Sequence, residues 1–119
     1  MWAKPIEEML VRIEVARRAA TESGRDPDAI VLSTACAAIV GADDASYHRT
    51  LERAAERRRR SPEKLEEQWR DWGYPIGTAK DAKPIIDAWE AAGIRRFYLQ
   101  TLGYNDPDEF IETLEVLGG

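Results

Sequence analysis

Little in this chain could tie it together covalently or hold it in a bilayer. Cys36 is the single cysteine among 119 residues, so no internal disulfide can form and a reducing compartment is expected. No apolar run approaches the ~20 residues of a membrane-spanning helix, and Met1-Trp2-Ala3-Lys4-Pro5 does not have the form of a signal peptide. The chain therefore reads as cytoplasmic, with no membrane partner. Positive charge is in deficit: 17 Lys and Arg against 22 Asp and Glu leave a net charge of −5, which argues against nucleic acid as a partner. There is one histidine, His48. No metal-ligand spacing, G-x-G-x-x-G or P-loop is present, and neither are internal repeats or low-complexity linkers.

What is present suffices for one small domain, residues 1–119. Hydrophobic residues at 44% can build a core, and a charged fraction of 33% suits a helical surface. The helices announce themselves by caps. Pro5 opens the first, Glu7 and Glu8 in its first turn suit the helix dipole, and Gly24 ends it. Ile6, Met9, Ile13, Ala16 and Ala20 form its apolar stripe. Arg25-Asp26-Pro27-Asp28 is then a turn, because Pro27 disfavours a helical Asp26. Ile30 to Thr34 follows as a strand without polar alternation, the pattern of a buried parallel sheet. Past it, the alanines between Ala35 and Val40 are weak strand formers, and the pairing is expected to lapse there.

Asp43 or Asp44 caps a second helix with Tyr47, Leu51, Ala54 and Ala55 inward. Ser61-Pro62-Glu63 is a restart, with a serine cap, proline at the first helical position and an acid in the first turn. Leu65, Trp69 and Trp72 follow as its apolar side, and Gly73 to Gly77 reads as a break. Ile85, Ile86, Trp89 and Ala92 stripe a fourth helix. Thr78 or Asp81 can cap it, and Asp81 is favoured because it leaves Pro84 in the first turn rather than in the interior, at about 3 kcal/mol. Gly93 ends that helix, and Ile94 to Leu99 is a second strand. Thr101 to Asn105 reads as loop. Asp106 caps a last helix with Pro107 in its first turn and Phe110, Ile111, Leu114 and Leu117 on its apolar face. The order is helix, strand, two helices, break, helix, strand, helix. Two parallel strands with a right-handed crossover and open edges are expected.

Several of these segments, in this order, carry a resemblance. Gly24-Arg25-Asp26-Pro27 precedes Ile30-Val31-Leu32-Ser33. Next come Trp72-Gly73-Tyr74-Pro75-Ile76-Gly77-Thr78, a helix, Ala92-Gly93-Ile94-Arg95-Arg96-Phe97-Tyr98-Leu99-Gln100 and an acidic helix. Over nearly its whole length the chain resembles the carboxyl-terminal part of luciferase-like flavin- or deazaflavin-dependent oxidoreductases. Trp2 resembles the end of an Asp-Gly-Trp segment that follows an earlier strand in that family, although here the Asp and Gly are absent. The resemblance implies an α/β fold: the last two βα units of a (β/α)8 TIM barrel, with two parallel strands and about five helices. A closed barrel takes eight strands and roughly 250 residues, so about a quarter of one is present. It further implies hydride transfer or monooxygenation of a small organic substrate by the deazaflavin coenzyme F-420 or by FMN. The family's Gly-rich phosphate-binding segment is missing. The chain would then be incomplete alone, joined by copies of itself as a homo-oligomer or by an amino-terminal barrel half. The alternative is a non-catalytic α/β module that self-associates or docks with a partner chain.

Barrel chemistry sits beyond the carboxyl ends of the strands. Ser33, Thr34, Gln100 and Thr101 are therefore the residues expected to line a flavin-type pocket, where hydroxyls and amides orient a heterocycle without adding charge. The same groups can instead satisfy backbone at strand ends. His48 is expected to be exposed or capping, and Cys36 to be a small buried residue rather than a nucleophile. Arg57 to Arg60 reads as a solvated helix end pairing with nearby glutamates. Trp69, Trp72 and Trp89 are expected in the core or on a surface awaiting a partner.

Overall fold

A computed structural model describes residues 1–100 and 107–118 as a mixed α/β fold of five helices and two short parallel sheets. In chain order these are α1 (Ile6–Glu22), β1 (Leu32–Ala37), β2 (Ile39–Gly41), α2 (Asp44–Arg57), α3 (Pro62–Asp71), β3 (Ile76–Thr78), α4 (Ala79–Ala91), β4 (Ile94–Gln100) and α5 (Pro107–Gly118). Asp106 and the expected loop at Thr101 to Asn105 lie outside the described residues.

Local chemistry accounts for most helix ends. Asp43 caps α2 by accepting from the Ser46 N–H at 2.8 Å, and Ser61 caps α3 by accepting from the Lys64 N–H at 3.2 Å. Each such cap stabilises its helix by about 1 kcal/mol. Gly24 and Gly93 follow α1 and α4 with φ of +78° and +93°, the left-handed geometry that stops a helix without steric cost.

One cap differs from expectation. α4 begins after Thr78, not after Asp81, and Pro84 lies inside the helix. The Asp81 carboxylate turns back to accept from the Thr78 N–H at 3.0 Å and the Thr78 hydroxyl at 3.2 Å. Gly77 makes room for it, since a Cβ there would sit 2.5 Å from that carboxylate. The reason is tertiary: Thr78 is also the end of β3, paired with Gly41, so strand passes into helix with no intervening loop. Pro84 and Lys80 are both exposed, so water can take the Lys80 carbonyl that Pro84 cannot bond.

The expected lapse of pairing near Val40 is a change of partner. β1 pairs in parallel with β4, from Leu32 opposite Ile94 to Ala37 opposite Gln100. After Ala38 the chain pairs with β3 instead, Ile39 opposite Ile76. Two strands were expected and four are present, because part of the presumed break at Gly73–Gly77 is strand. The first strand also begins at Leu32 rather than Ile30. On the other side of β1, Ala3 donates to the Ala35 carbonyl and Ala35 to the Met1 carbonyl, both at 2.8 Å, so Met1–Ala3 is a further parallel stub.

The core gathers Met9, Ile13, Cys36, Ile39, Leu51, Leu65, Trp69, Ile76, Trp89 and Ile94. α5 contributes in an unexpected way. Its buried residue is Thr113, whereas Ile111 and Leu114 are exposed. The Thr113 hydroxyl accepts from the Val40 N–H at 3.1 Å and donates to the Val40 carbonyl at 3.3 Å. A hydroxyl wins over an isoleucine here because those strand groups would otherwise be buried without partners.

Candidate functional site

A register shift in β4 decides which side chains share a face. Leu32 is opposite Ile94 but Ser33 is opposite Arg96, so Arg95 is an extra residue and the alternation inverts there. Ile94, Phe97 and Leu99 can then all turn to the core, with the Phe97 ring 5.6 Å from Trp89 of α4. Thr34 and Cys36, opposite Phe97 and Leu99, share this covered face.

The other face is open. Along it lie Ser33 opposite Arg96, Ala35 opposite Tyr98 and Ala37 opposite Gln100. Tyr98 is 55% exposed and Arg96 is exposed as well, while Ser33 and Gln100 are half-buried. Of the four residues expected to line a pocket at the carboxyl ends of the strands, Gln100 is at that end, opposite the buried Ala37. Ser33 and Thr34 instead fall at the amino end of β1, because the strand runs on to Ala37. Thr34 is on the covered face, 1% exposed, and its hydroxyl has no hydrogen-bond partner among the described residues. Thr101 lies outside the described residues. Arg96 and Tyr98 share the open face with Ser33 and Gln100 and were not singled out from the sequence. The signal was the Arg95-Arg96 pair, which no strand buried on both faces would carry.

The loop after β2 is closed to anions. The N-terminal end of α2 already holds the Asp43 carboxylate, and Glu112 of α5 accepts there from the Ala42 N–H at 3.0 Å and the Ser46 hydroxyl at 2.6 Å. Two carboxylates occupy the positive end of the helix dipole, where a phosphate would otherwise sit. The arginine cluster is partly built into the fold: Arg58 lies 5.1 Å above the Trp69 ring, and Arg60 donates to Gln68. His48 is exposed, stacked obliquely on Tyr47. Burial pushes the Cys36 thiol up to about 12, so it is a neutral core group near neutrality. Burial and the hydrogen bond to Glu66 also raise the Tyr47 phenol. Among the described residues no group of three His, Cys, Asp or Glu could hold a metal, and no helix is long and apolar enough to cross a membrane.

The arrangement can offer a polar, cation-bearing sheet surface to a ligand or to another segment of protein. No protein-family model matches the chain, and no curated protein is significantly similar to it.

Proposed function

We propose that this chain is the carboxyl-terminal arc of a luciferase-like (β/α) barrel, and that the carboxyl ends of β1 and β4 form one side of a site for F-420 or FMN. The observation that carries this reading is the sheet. The Met1–Ala3 stub, β1 and β4 lie side by side in chain order, all parallel, with one face buried and the other uncovered. Consecutive parallel neighbours joined by helices are the construction of a barrel wall, whose chemistry sits at the carboxyl ends of its strands. The shape agrees with an arc. The radius of gyration is 15.7 Å, against about 13.5 Å for a compact domain of this size.

In this role Gln100, at the carboxyl end of β4, offers an amide to the heterocycle, whereas Ser33 and Arg96 pair at the amino ends of β1 and β4, away from the coenzyme. The coenzyme supplies the hydride chemistry. The chain's part is to orient the ring and, once the remaining wall is present, to exclude water. The wall is completed by further strands on the free edge of β4, from copies of this chain or from the rest of the barrel.

The test is a titration of the purified chain with F-420 and with FMN, followed by fluorescence, with the assembly mass measured in the same buffer. Saturable micromolar binding that Gln100→Ala weakens and Arg96→Ala leaves unchanged supports the reading. A chain that self-associates and still binds neither coenzyme overturns it in favour of a non-catalytic module.

A further inference from the structure

A second site lies where the start of α1 meets the end of α3, bordering the open sheet face at Trp2, which pairs with Ala35. The Gly73 Cα presses on the Lys4 carbonyl so closely that a Cβ would fall 2.6 Å from it, and Gly73 has φ of +79°. This contact brings the residues after the amino-terminal stub against those after α3. It leaves a cleft of about 390 Å³ lined by Trp2, Lys4, Glu8, Asp71, Trp72 and Tyr74, among others. Tyr74 is nearly buried, and its ring meets Trp72 edge to face at 5.5 Å, which holds the indole in one orientation. Trp2 and Trp72 are 52% and 44% exposed. Two indoles at the surface of one cleft, with a tyrosine between the cleft and the core, is an expensive arrangement to leave in water.

The charges around these rings narrow the ligand. Glu8 and Asp71 both line the cleft, and among the described residues neither side-chain carboxylate makes a hydrogen bond or an ion pair. The protein's own ring-bound cation is elsewhere, Arg58 on Trp69. Lys4 lines the cleft, but it is not stacked on either indole. Aromatic rings attract cations through the negative charge of their faces, and the effect is largest for cations that lose little hydration on entering. Carboxylates at the same cleft add long-range attraction without demanding a donor.

We infer that this cleft binds a small organic cation with a methylated ammonium head, of the choline type. The head lies against the indoles of Trp2 and Trp72, and Glu8 and Asp71 neutralise it. The inference shares only Trp2, which pairs with Ala35, with the open sheet face. Glu8, Asp71 and Trp72 belong to neither strand of it, so their variants test the cleft separately from the coenzyme site.

Calorimetric titration with choline, and with its uncharged carbon isostere 3,3-dimethylbutan-1-ol, tests it. Choline should bind at least tenfold more tightly than the isostere. Trp72→Ala and the double variant Glu8→Gln/Asp71→Asn should each weaken choline about tenfold or more. Lys4→Gln, which removes a competing positive charge, should strengthen it. The surface position of Glu8 and Asp71 keeps the double variant informative if the tryptophan variant folds poorly. Equal binding of choline and the isostere, no binding of choline up to 10 mM, or binding of guanidinium in preference to choline would each overturn the assignment.

Discussion

β2 and β3 pair over only three residues each, yet all of β2 and most of β3 are buried, whereas β1 and β4 pair over six and leave Arg96 and Tyr98 in water. The short sheet is enclosed by α2, α4 and α5, and its backbone is completed by the hydroxyl of Thr113. The long sheet is covered on one face only, and among the described residues the outer edge of β4 has no partner. Length of pairing is thus a poor guide to where a fold is finished. The short sheet belongs to a closed structural unit, and the long one presents a surface that something else completes.

That contrast makes quantitative claims. The largest effects belong around the short sheet. Ile39→Ala, at a side chain 1% exposed, should cost about 2–5 kcal/mol in urea unfolding. Tyr98→Ala on the open face should stay within about 0.5 kcal/mol. Equal costs would erase the distinction between the two sheets. Gly77→Ala should rank next, at about 1–3 kcal/mol, because φ of +119° is strained for alanine and its methyl would displace the Asp81 carboxylate. A thermal midpoint at or above that of the parent chain would refute the role given to that glycine. Thr113→Val should cost about 1–3 kcal/mol, since it strands the Val40 N–H in the core, and faster amide exchange at Val40 is the specific readout.

The smallest expected effect concerns pH. The folded state raises Cys36 from its ordinary 9.0 to about 12, so the stability it protects is fully present below pH 9. It is lost as pH rises from 9 toward 12, where the unfolded thiol ionises and the folded one does not. Tyr47, also raised, adds loss in the same direction. Iodoacetamide at pH 8.5 should therefore modify native Cys36 only at the rate of opening. Labelling as fast as in urea would show the thiol to be accessible.

Much of the local structure was legible. The caps at Asp43 and Ser61, the stops at Gly24 and Gly93, and the inward residues Tyr47, Leu51, Ala54 and Ala55 follow from interactions spanning four residues or fewer. The candidate site was legible only in part. Ser33 and Gln100 reach the open face and alternation along β1 sends Thr34 to the other, but that β1 runs on to Ala37, leaving Ser33 and Thr34 at its amino end, was not legible. The short strands β2 and β3 escaped notice because three residues carry no periodicity. Thr113 escaped because an apolar stripe is a rule about carbon, and its hydroxyl is there for a backbone 73 positions away.

What the sequence determined by itself was therefore the set of helices, most of their described ends and the parallel α/β class, all consequences of short-range sterics and hydrogen bonding. Only the tertiary structure decided that the chain changes strand partner at Ala38, that α4 starts after Thr78 despite Pro84, and that one sheet face stays open. Those outcomes rest on pairings between residues far apart in the chain. There, satisfying buried backbone and filling the core outweigh a propensity cost of about 3 kcal/mol.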